Sequence, residues 1–401
     1  MKVLLLHNRY QYAGGEDSVV QTEKSLLETK GHRVELIEVS NDDIVGIKGK
    51  INAAISAIYS PASKQRVSAA IARLSPDIVH VHNFFPLLSP SVYDACHDAG
   101  VPVVQTLHNY RLGCPNAMLF RQGMACEDCL GKKIPWPGIL HGCYRGSRAQ
   151  SAAVATMLAV NHISGTWHKG VDAYITLTAF QKEKMVQAGL PRKKIYIKPN
   201  LVFDPQPLER TKSLGEFALF VGRISPEKGI LTLINAYVEN RLHIPLKIAG
   251  TGPMLEALRE TVRDKGLQNI IKFLGQQDKP AVLQLMRHAR FLIFPSVWYE
   301  TFGLSAVEAF ASSLPVVASR LGTMAEIVED GVTGLHFQAG SSTDLANKMR
   351  WAYKHPEEMI CMGQNARRAY EARYTPKNNY QQLMAIYEAV MDKETTTVGA
   401  R

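Results

Sequence analysis

Short runs of Val, Ile and Leu alternate with stretches whose apolar residues recur every three or four positions along nearly the whole chain. A short, wholly apolar run fits a strand buried on both faces, and an apolar stripe at helical spacing fits a helix that covers it. The alternation therefore predicts parallel βαβ units. In the first half the runs predict strands over Val3–Leu6, Val34–Val39, Ile78–Val81, Val103–Leu107, Ala173–Leu177 and Ile195–Ile197. From Phe217 onward the scheme repeats as FALFVG, PLKIAG, IIKFLG, RFLIFP, PVVAS and GLHF. Between the halves, KPNLVFDPQPLERTKSLGE (198–216) carries prolines and polar residues that continue neither regular element, and it reads as a linker.

The predicted fold class is thus α/β, with two doubly wound, Rossmann-like parallel-sheet domains over residues 1–200 and 205–376. A helix over 378–392, containing NNYQQLMAIYEAVM, is expected to cross back and pack on the first domain. Open parallel sheets bind ligands outside the C-terminal ends of their strands, so two of them joined by a hinge predict a cleft lined by the loops after strands. The end KETTTVGAR has no pattern and is expected to lack structure.

Composition agrees with two soluble domains: 401 residues, 46% hydrophobic and 20% charged. Neither MKVLLLHNRY at the N-terminus nor AAVATMLAV (152–160) has the length of a signal core or a membrane span, so a cytoplasmic location is expected. The net charge of +10 is uneven, with 23 Lys+Arg against 15 Asp+Glu in residues 1–200 and 23 against 21 in the rest. An anionic partner would therefore meet the first half.

In the second half, FALFVG is followed by RISPEKG and then a helical pattern, which puts Arg223 and Lys228 in the loop at a strand's C-terminal end. Two cations there either clamp a diphosphate or stand as solvated loop charges, and the strand–loop–helix position favours the clamp. In FPSVWYETFGLSAVEAFASSLPVVAS, Glu300 is read at the end of a strand, and Glu308 falls in the otherwise apolar helix LSAVEAFA. A carboxylate in that setting needs partners: a ribose diol is one and a buried salt bridge another. Thr301, Phe302, Gly303 and Leu304 form the helix N-terminus, whose unpaired N–H groups suit phosphate oxygens.

The GRISPEKG loop, the AGTGP turn at Gly250, the spacing Glu300…Glu308, and LPVVAS with GTMAEIVEDGVTGLHF resemble the retaining nucleotide-sugar glycosyltransferases of family 4, which have the GT-B fold. The resemblance covers nearly the whole chain. It implies that Arg223 and Lys228 hold the donor diphosphate, that Glu300 lies near the donor-sugar hydroxyls and that Glu308 binds the ribose. Gly222 and Gly252 join the donor site by the same resemblance. The chemistry agrees, because a departing diphosphate is stabilised by fixed cations and a helix N-terminus without a divalent ion, and no DxD sequence stands in a suitable place. A glycosidase would leave these cations unused, and GTGPML lacks the third glycine of a dinucleotide-binding motif.

In the first half, Gly14 and Gly15 sit in a loop that opens a helix, and the resemblance sets that loop against the donor phosphates and sugar. His108 ends the strand VVQTL; alone it is as readily structural, but the family's histidine at this strand end contacts the sugar near its C6 hydroxyl. His82 and Asn83, after DIVHV, are assigned with Arg111 to the acceptor side. The stripe Ile44, Ile47, Ile51, Ala54, Ile55 and Ile58, flanked by Lys48 and Lys50, reads either as a core-facing helix or as one resting on an anionic membrane surface.

Four cysteines, Cys114, Cys126, Cys129 and Cys143, lie in a segment over 111–148 that the minimal GT-B core lacks. A CxxC with two further cysteines has the count of a structural zinc site, with unligated thiols and disulfides as the alternatives; Cys96 and Cys361 stand apart. Together these readings give a metal-independent transfer of a sugar from a UDP- or GDP-sugar to a glycan or lipid-linked oligosaccharide in surface polysaccharide synthesis, on the inner face of the plasma membrane where the acceptor is lipid-linked. The rivals are a nucleotide-sugar epimerase of the same fold and a zinc-stabilised nucleic-acid-binding protein. The second is disfavoured, since the basic residues lack interleaved aromatics for base stacking.

Overall fold

The computed structural model describes residues 1–10, 14–205 and 215–398, with the side chains of Ile47, Lys50 and 393–398 outside that description. Part of the expected linker (206–214) and the last three residues of the tail also lie outside the described residues. The chain divides into two compact units, one comprising Met1–Leu119, Glu127–Pro199 and Asn379–Arg401, the other Phe120–Cys126 and Asn200–Asn378.

Eight strands precede residue 200: β1 (Lys2–Arg9), β2 (Arg33–Ser40), β3 (Ile78–Asn83), β4 (Val103–Thr106), β5 (Phe120–Arg121), β6 (Met124–Ala125), β7 (Ala173–Thr176) and β8 (Ile195–Ile197). The first unit's sheet has the order β2-β1-β3-β4-β7-β8 with every pair parallel. Strand order reverses on either side of β1, which is the doubly wound pattern. β5 and β6 form a separate antiparallel hairpin, Phe120 opposite Ala125, which groups with the second unit. The core on one face of the first sheet joins Val3, Leu5, Ile78, Val104 and Ile175 to Leu383, Ile386, Tyr387 and Val390 of the last helix, Pro376–Val398. That helix continues through most of the tail that was expected to lack structure.

The second sheet repeats the plan with β9 (Phe217–Val221), β10 (Leu246–Ala249), β11 (Ile271–Gly275), β12 (Ala289–Phe294), β13 (Val316–Ser319) and β14 (Gly334–Phe337), in the order β11-β10-β9-β12-β13-β14 and again all parallel. Its core is built from Ile248, Phe291, Ile293 and Val317 of the strands against Leu233, Ile234, Leu345 and Met349 of the helices. The α/β class and the twelve expected parallel strands are as the hydrophobic pattern indicated. Several strand ends differ, and two of them bear on the site: β3 runs to Asn83, so His82 and Asn83 lie within the strand, and β12 ends at Phe294, six residues before Glu300.

Loops at the C-terminal ends of the second sheet are packed backbone to backbone. Gly222 N donates to Ala249 O at 3.1 Å, Ile224 N to Thr251 O at 2.8 Å, and Gly250 N to Gly275 O at 2.8 Å. A Cβ on Gly250 would stand 1.9 Å from Gly222 O, and one on Gly252 would stand 2.3 Å from Ile224 O. Glycine is required here because the neighbouring main chain occupies the space a side chain would take. Gly229 adds a second constraint, with φ of +67° and Pro295 O only 1.8 Å from the Cβ position.

Gly266 has the same φ, +67°, with nothing within 4 Å of its Cβ position. Gly266→Ala therefore isolates the left-handed backbone cost, about 1–2 kcal/mol, whereas Gly229→Ala adds a collision with the Pro295 carbonyl. Thermal denaturation should show a clearly larger loss for Gly229→Ala; equal losses would mean that the close approach carries no energy.

Candidate functional site

In the second unit the polar groups collect after β9 and β12. Arg223 lies exposed just past β9, and Lys228 ends the single 3-10 turn Pro226–Lys228 that leads into the helix Ile230–Asn240. Val297 N donates to Glu227 O at 3.0 Å, which ties this turn to the loop after β12. Lys228 Nζ reaches Glu300 Oε1 at 2.7 Å and lies 5.3 Å from the centre of the Trp298 ring. The same Glu300 oxygen accepts from Ser296 Oγ at 2.6 Å and from Trp298 Nε1 at 2.8 Å. With Glu300 only 4% exposed, these three donors offset the cost of removing a carboxylate from water.

Gly303, at φ +88°, caps the helix Leu304–Ala311, and a Cβ there would meet Met324 at 2.5 Å. Phe302 is buried and anchors the cap, Ala306 N donates to Gly303 O at 3.0 Å, and this end of the helix carries the positive end of its dipole. Glu308 lies on that helix, 9% exposed, and pairs with Lys279 Nζ at 2.5 Å. The lysine is more than half exposed, so solvent screens the pair and a ligand hydroxyl can compete for the carboxylate. Lys279, Ser296 and Trp298 were not singled out from the sequence. The placement of Lys279 just past the IIKFLG strand was the one signal that could have drawn attention to it.

In the first unit, Gly14 is the N-cap of the helix Gly15–Thr29, and its N–H donates to Asp17 Oδ2 at 3.0 Å. Asp17 in turn accepts at 2.8 Å from His7 Nε2, at the C-terminal end of β1. Burial, with Asp17 as neighbour, pushes the Glu16 carboxyl up to about 8.

His108, two residues past β4, hydrogen-bonds through Nε2 to His82 Nδ1 at 2.9 Å, and the rings stack at 5.2 Å. Burial and the neighbouring His82 hold His108 well below the usual imidazole range. His82 itself is pushed down to about 4 by burial and His80, against the pull of Glu23. Beneath them lies Glu23, whose Oε2 is 2.8 Å from Lys198 Nζ and whose Oε1 is 3.1 Å from His80 Nδ1 and 3.3 Å from His82 Nε2. Burial alone would raise Glu23, but Lys198 and His80 outweigh it and hold the carboxyl well below its usual range. Glu23, Lys198 and His80 fall on apolar helix or strand patterns and gave no sequence signal of a site.

Three acceptor-side expectations change. His82 is buried in β3 and supports His108. Asn83 spends its amide on the chain, donating to Asn8 O at 2.7 Å and accepting from Phe85 N at 3.0 Å. Arg111 is 8% exposed, lies 4.4 Å from the Phe85 ring centre and 5.2 Å from that of Tyr144, and donates to Pro115 O. Its guanidinium thus contacts the inserted segment at Pro115 and Tyr144.

The thiols of that segment do not assemble as a metal site would require. Among the described residues, the group of three or more His, Cys, Asp or Glu with ligand atoms within 4.8 Å of one another is Glu23, His80 and His82. Cys114, Cys129 and Cys143, all in the first unit, make no such group. Cys114 Sγ donates to Asn116 Oδ1 at 2.9 Å, and burial raises its thiol, opposing the loss of a proton that ligation needs. Cys126 closes the hairpin that groups with the second unit. The four residues therefore do not fit a tetrathiolate zinc site in this structure.

Residues 13–203 match the family described as Glycosyltransferase Family 4, and residues 209–369 match Glycosyl transferases group 1. A phosphatidyl-myo-inositol mannosyltransferase of Mycobacterium leprae is 25% identical, over 95% of this chain and 94% of its own. An uncharacterised glycosyltransferase of Methanocaldococcus jannaschii is 31% identical over 44% of this chain, and the match spans about half, 49%, of that relative's length. The crystal structure of Anabaena HepE in complex with UDP superposes with a TM-score of 0.69 at 20% identity, over 97% of this chain and 100% of that one, which shows the fold. The two family matches lie end to end over the two doubly wound units just described, and the chain belongs to the family 4 glycosyltransferases of GT-B fold.

Proposed function

We propose that this protein is a retaining glycosyltransferase that moves a sugar from a UDP- or GDP-sugar to a glycan or lipid-linked oligosaccharide acceptor in surface polysaccharide synthesis, without a divalent ion. The observation that carries the proposal is the Glu300 cradle, where a buried carboxylate held by Lys228, Ser296 and Trp298 stands beside the capped N-terminus of Leu304–Ala311. Transfer from a nucleotide sugar requires positive charge where the diphosphate leaves and an acceptor of hydrogen bonds where the sugar hydroxyls lie. Lys228, Arg223 and the helix end supply the first on the chain itself; Glu300 supplies the second. Glu308 is suited to a ribose diol, with Lys279 as the partner it gives up. A complex of the similar Anabaena protein with UDP, and another with UDP-glucose, support a nucleotide-sugar donor.

A lipid-linked acceptor is supported by the Mycobacterium relative's name and by the surface of the first unit. In the helix Gly46–Ile58, Ala53 and Ala57 are the buried positions among the described side chains, while Ile51 and Ile55 are 54% and 64% exposed. That helix packs along Arg148–Ile163, where Ile163 is exposed, and Trp136–Leu140 packs there too, with Trp136 and Leu140 exposed. Lys48, Lys132, Lys133, Arg145 and Arg148 are exposed on or near the same elements. Apolar side chains with basic neighbours fit the headgroup region of an anionic bilayer. No helix among the described residues is long and apolar enough to cross a membrane.

Lys228→Ala and Glu300→Gln should each lower transfer by about 100-fold or more with the far-ultraviolet circular dichroism unchanged, and full activity in either purified variant would reject the site. A thermal-shift screen against UDP, GDP and their sugars identifies the donor, because a ligand of the folded state raises Tm. Ile51→Asp with Ile55→Asp should abolish flotation with anionic vesicles at low salt; wild-type protein that never floats would remove the membrane surface from the proposal. Finally, Glu16 stays protonated in the fold up to about pH 8 and ionises above it, placing a negative charge next to the Gly14-Gly15 loop. Donor kcat/KM should therefore fall as pH rises through about 8 in the wild type but not in Glu16→Gln; identical profiles would show that Glu16 is remote from the donor.

A further inference from the structure

The buried cluster of Glu23, His80 and His82 has the composition of a metal site but not its electrostatics. The Lys198 ammonium already sits 2.8 Å from Glu23 Oε2, and both His80 nitrogens are engaged, Nδ1 with Tyr387 OH at 2.7 Å and Nε2 with Thr106 Oγ1 at 2.8 Å. The cation is thus part of the chain, and what the cluster can order is protons.

We propose that Lys198 and Glu23, acting through His82, set the proton on His108, so that His108 presents the bare lone pair of Nδ1 and can accept but not donate a hydrogen bond. The inference rests on the proposed donor site only in naming what His108 accepts from, a hydroxyl of the donor sugar. Each step follows from the one beneath it. Lys198 Nζ fixes Glu23 as a carboxylate, which can only accept. His82 Nε2 lies 3.3 Å from Glu23 Oε1 and has no hydrogen-bond partner elsewhere; Oε1 also faces His80 Nδ1 at 3.1 Å, but that nitrogen is engaged with Tyr387 OH. A lone pair facing a carboxylate at that distance is repulsive, so the single proton of neutral His82 belongs on Nε2. His82 Nδ1 is then an acceptor, and the 2.9 Å contact to His108 Nε2 requires the proton to come from His108. With Nε2 protonated, neutral His108 is left with an unprotonated Nδ1.

The backbone keeps this end of the chain in register. Leu107 N donates to Ile175 O at 2.8 Å, and Gln181 Nε2 donates to Leu107 O at 2.7 Å, so His108 follows a fixed peptide. His82 and Glu23 are buried whereas His108 keeps partial exposure, which makes His108 the member of the series that a ligand can reach. Glu23, Lys198 and His82 are positioning residues: they touch the reacting sugar only through His108.

The series is reversible by one atom. In Glu23→Gln the side-chain oxygen still accepts from Lys198, but the amide nitrogen donates to His82 Nε2. His82 then carries its proton on Nδ1, donates to His108 Nε2 and leaves His108 protonated on Nδ1. Long-range proton–nitrogen spectra of histidine-labelled protein without substrate test this directly. Wild-type protein should show a protonated Nε2 and an unprotonated Nδ1 at His108, and Glu23→Gln should exchange the two. A wild-type His108 protonated on Nδ1 overturns the proposal even if the variant fails to fold, and so does a folded Glu23→Gln that keeps the wild-type tautomer. In binding, Glu23→Gln should weaken the nucleotide sugar about fivefold, the worth of one hydrogen bond, while leaving the nucleoside diphosphate unchanged, since His108 faces the sugar. Equal weakening of both ligands by a folded variant with the exchanged tautomer overturns the assignment of His108 to the sugar. Correct tautomers in a protein that binds no nucleotide sugar reject the donor-site reading and leave the proton series standing.

Discussion

A carboxylate taken out of water must be given a cation or enough donors to replace its hydration, and both units of this protein are organised around that requirement. Glu23 is buried with Lys198, and Glu300 is buried with Lys228. Leaving such a charge unpaired costs about 3–5 kcal/mol, so each pair fixes where its elements meet. Lys198 follows β8 and Glu23 lies on the helix after β1, so the pair ties opposite flanks of the first sheet to each other. In the second unit Lys228 and Glu300 bridge the loops after β9 and β12, adjacent strands at the point where strand order reverses. Both pairs involve elements that follow the C-terminal ends of strands, the side on which open parallel sheets take their ligands.

The two pairs differ in how they respond to a ligand. Lys198 and Glu23 are each 2% exposed, and Asn379 Oδ1 at 3.4 Å is a further acceptor for the ammonium, so nothing small enters between them. Lys228 is 26% exposed and Lys279 57%, so both can turn partly toward an arriving anion while their carboxylates turn to hydroxyls. The fixed pair suits positioning, and the looser ones suit exchange of partners.

Periodicity revealed the sheets because parallel strands buried on both faces must be apolar throughout, and FALFVG or PLKIAG has few other readings. Element ends were less legible. His82 and Asn83 looked like loop residues since they are polar, yet β3 carries them to its buried end because His82 pairs with His108 there and Asn83 donates to the Asn8 carbonyl. Glu300 looked like a strand end, but the loop after β12 extends further to bring Ser296 and Trp298 onto the same oxygen. Lys198 and Glu23, 175 residues apart, share no local pattern, and a pairing of that range shows only when the chain is folded. The cysteines misled for the converse reason. Local spacing suggests a thiolate site, but Cys114 turns to Asn116 and Arg111 stacks between Phe85 and Tyr144, so side-chain packing supplies the order that a metal was expected to give.

The crowding on a single oxygen of Glu300 bears on how the proposed transfer would proceed. A carboxylate that attacks the sugar needs an unencumbered lone pair and a high-energy anion, and Oε1 has given its lone pairs to Lys228, Ser296 and Trp298. Three donors lower the energy of that oxygen and weaken it as a nucleophile. They also lower the repulsion a diphosphate would meet on approaching, because Lys228 has already neutralised the carboxylate. The arrangement favours holding the sugar by its hydroxyls while the diphosphate departs toward Lys228, Arg223 and the helix end. The departing phosphate oxygen is then the base best placed to take the acceptor's proton. On this reading His108, held as an acceptor by the proton series beneath it, has no proton to give and can only orient the hydroxyl it accepts from.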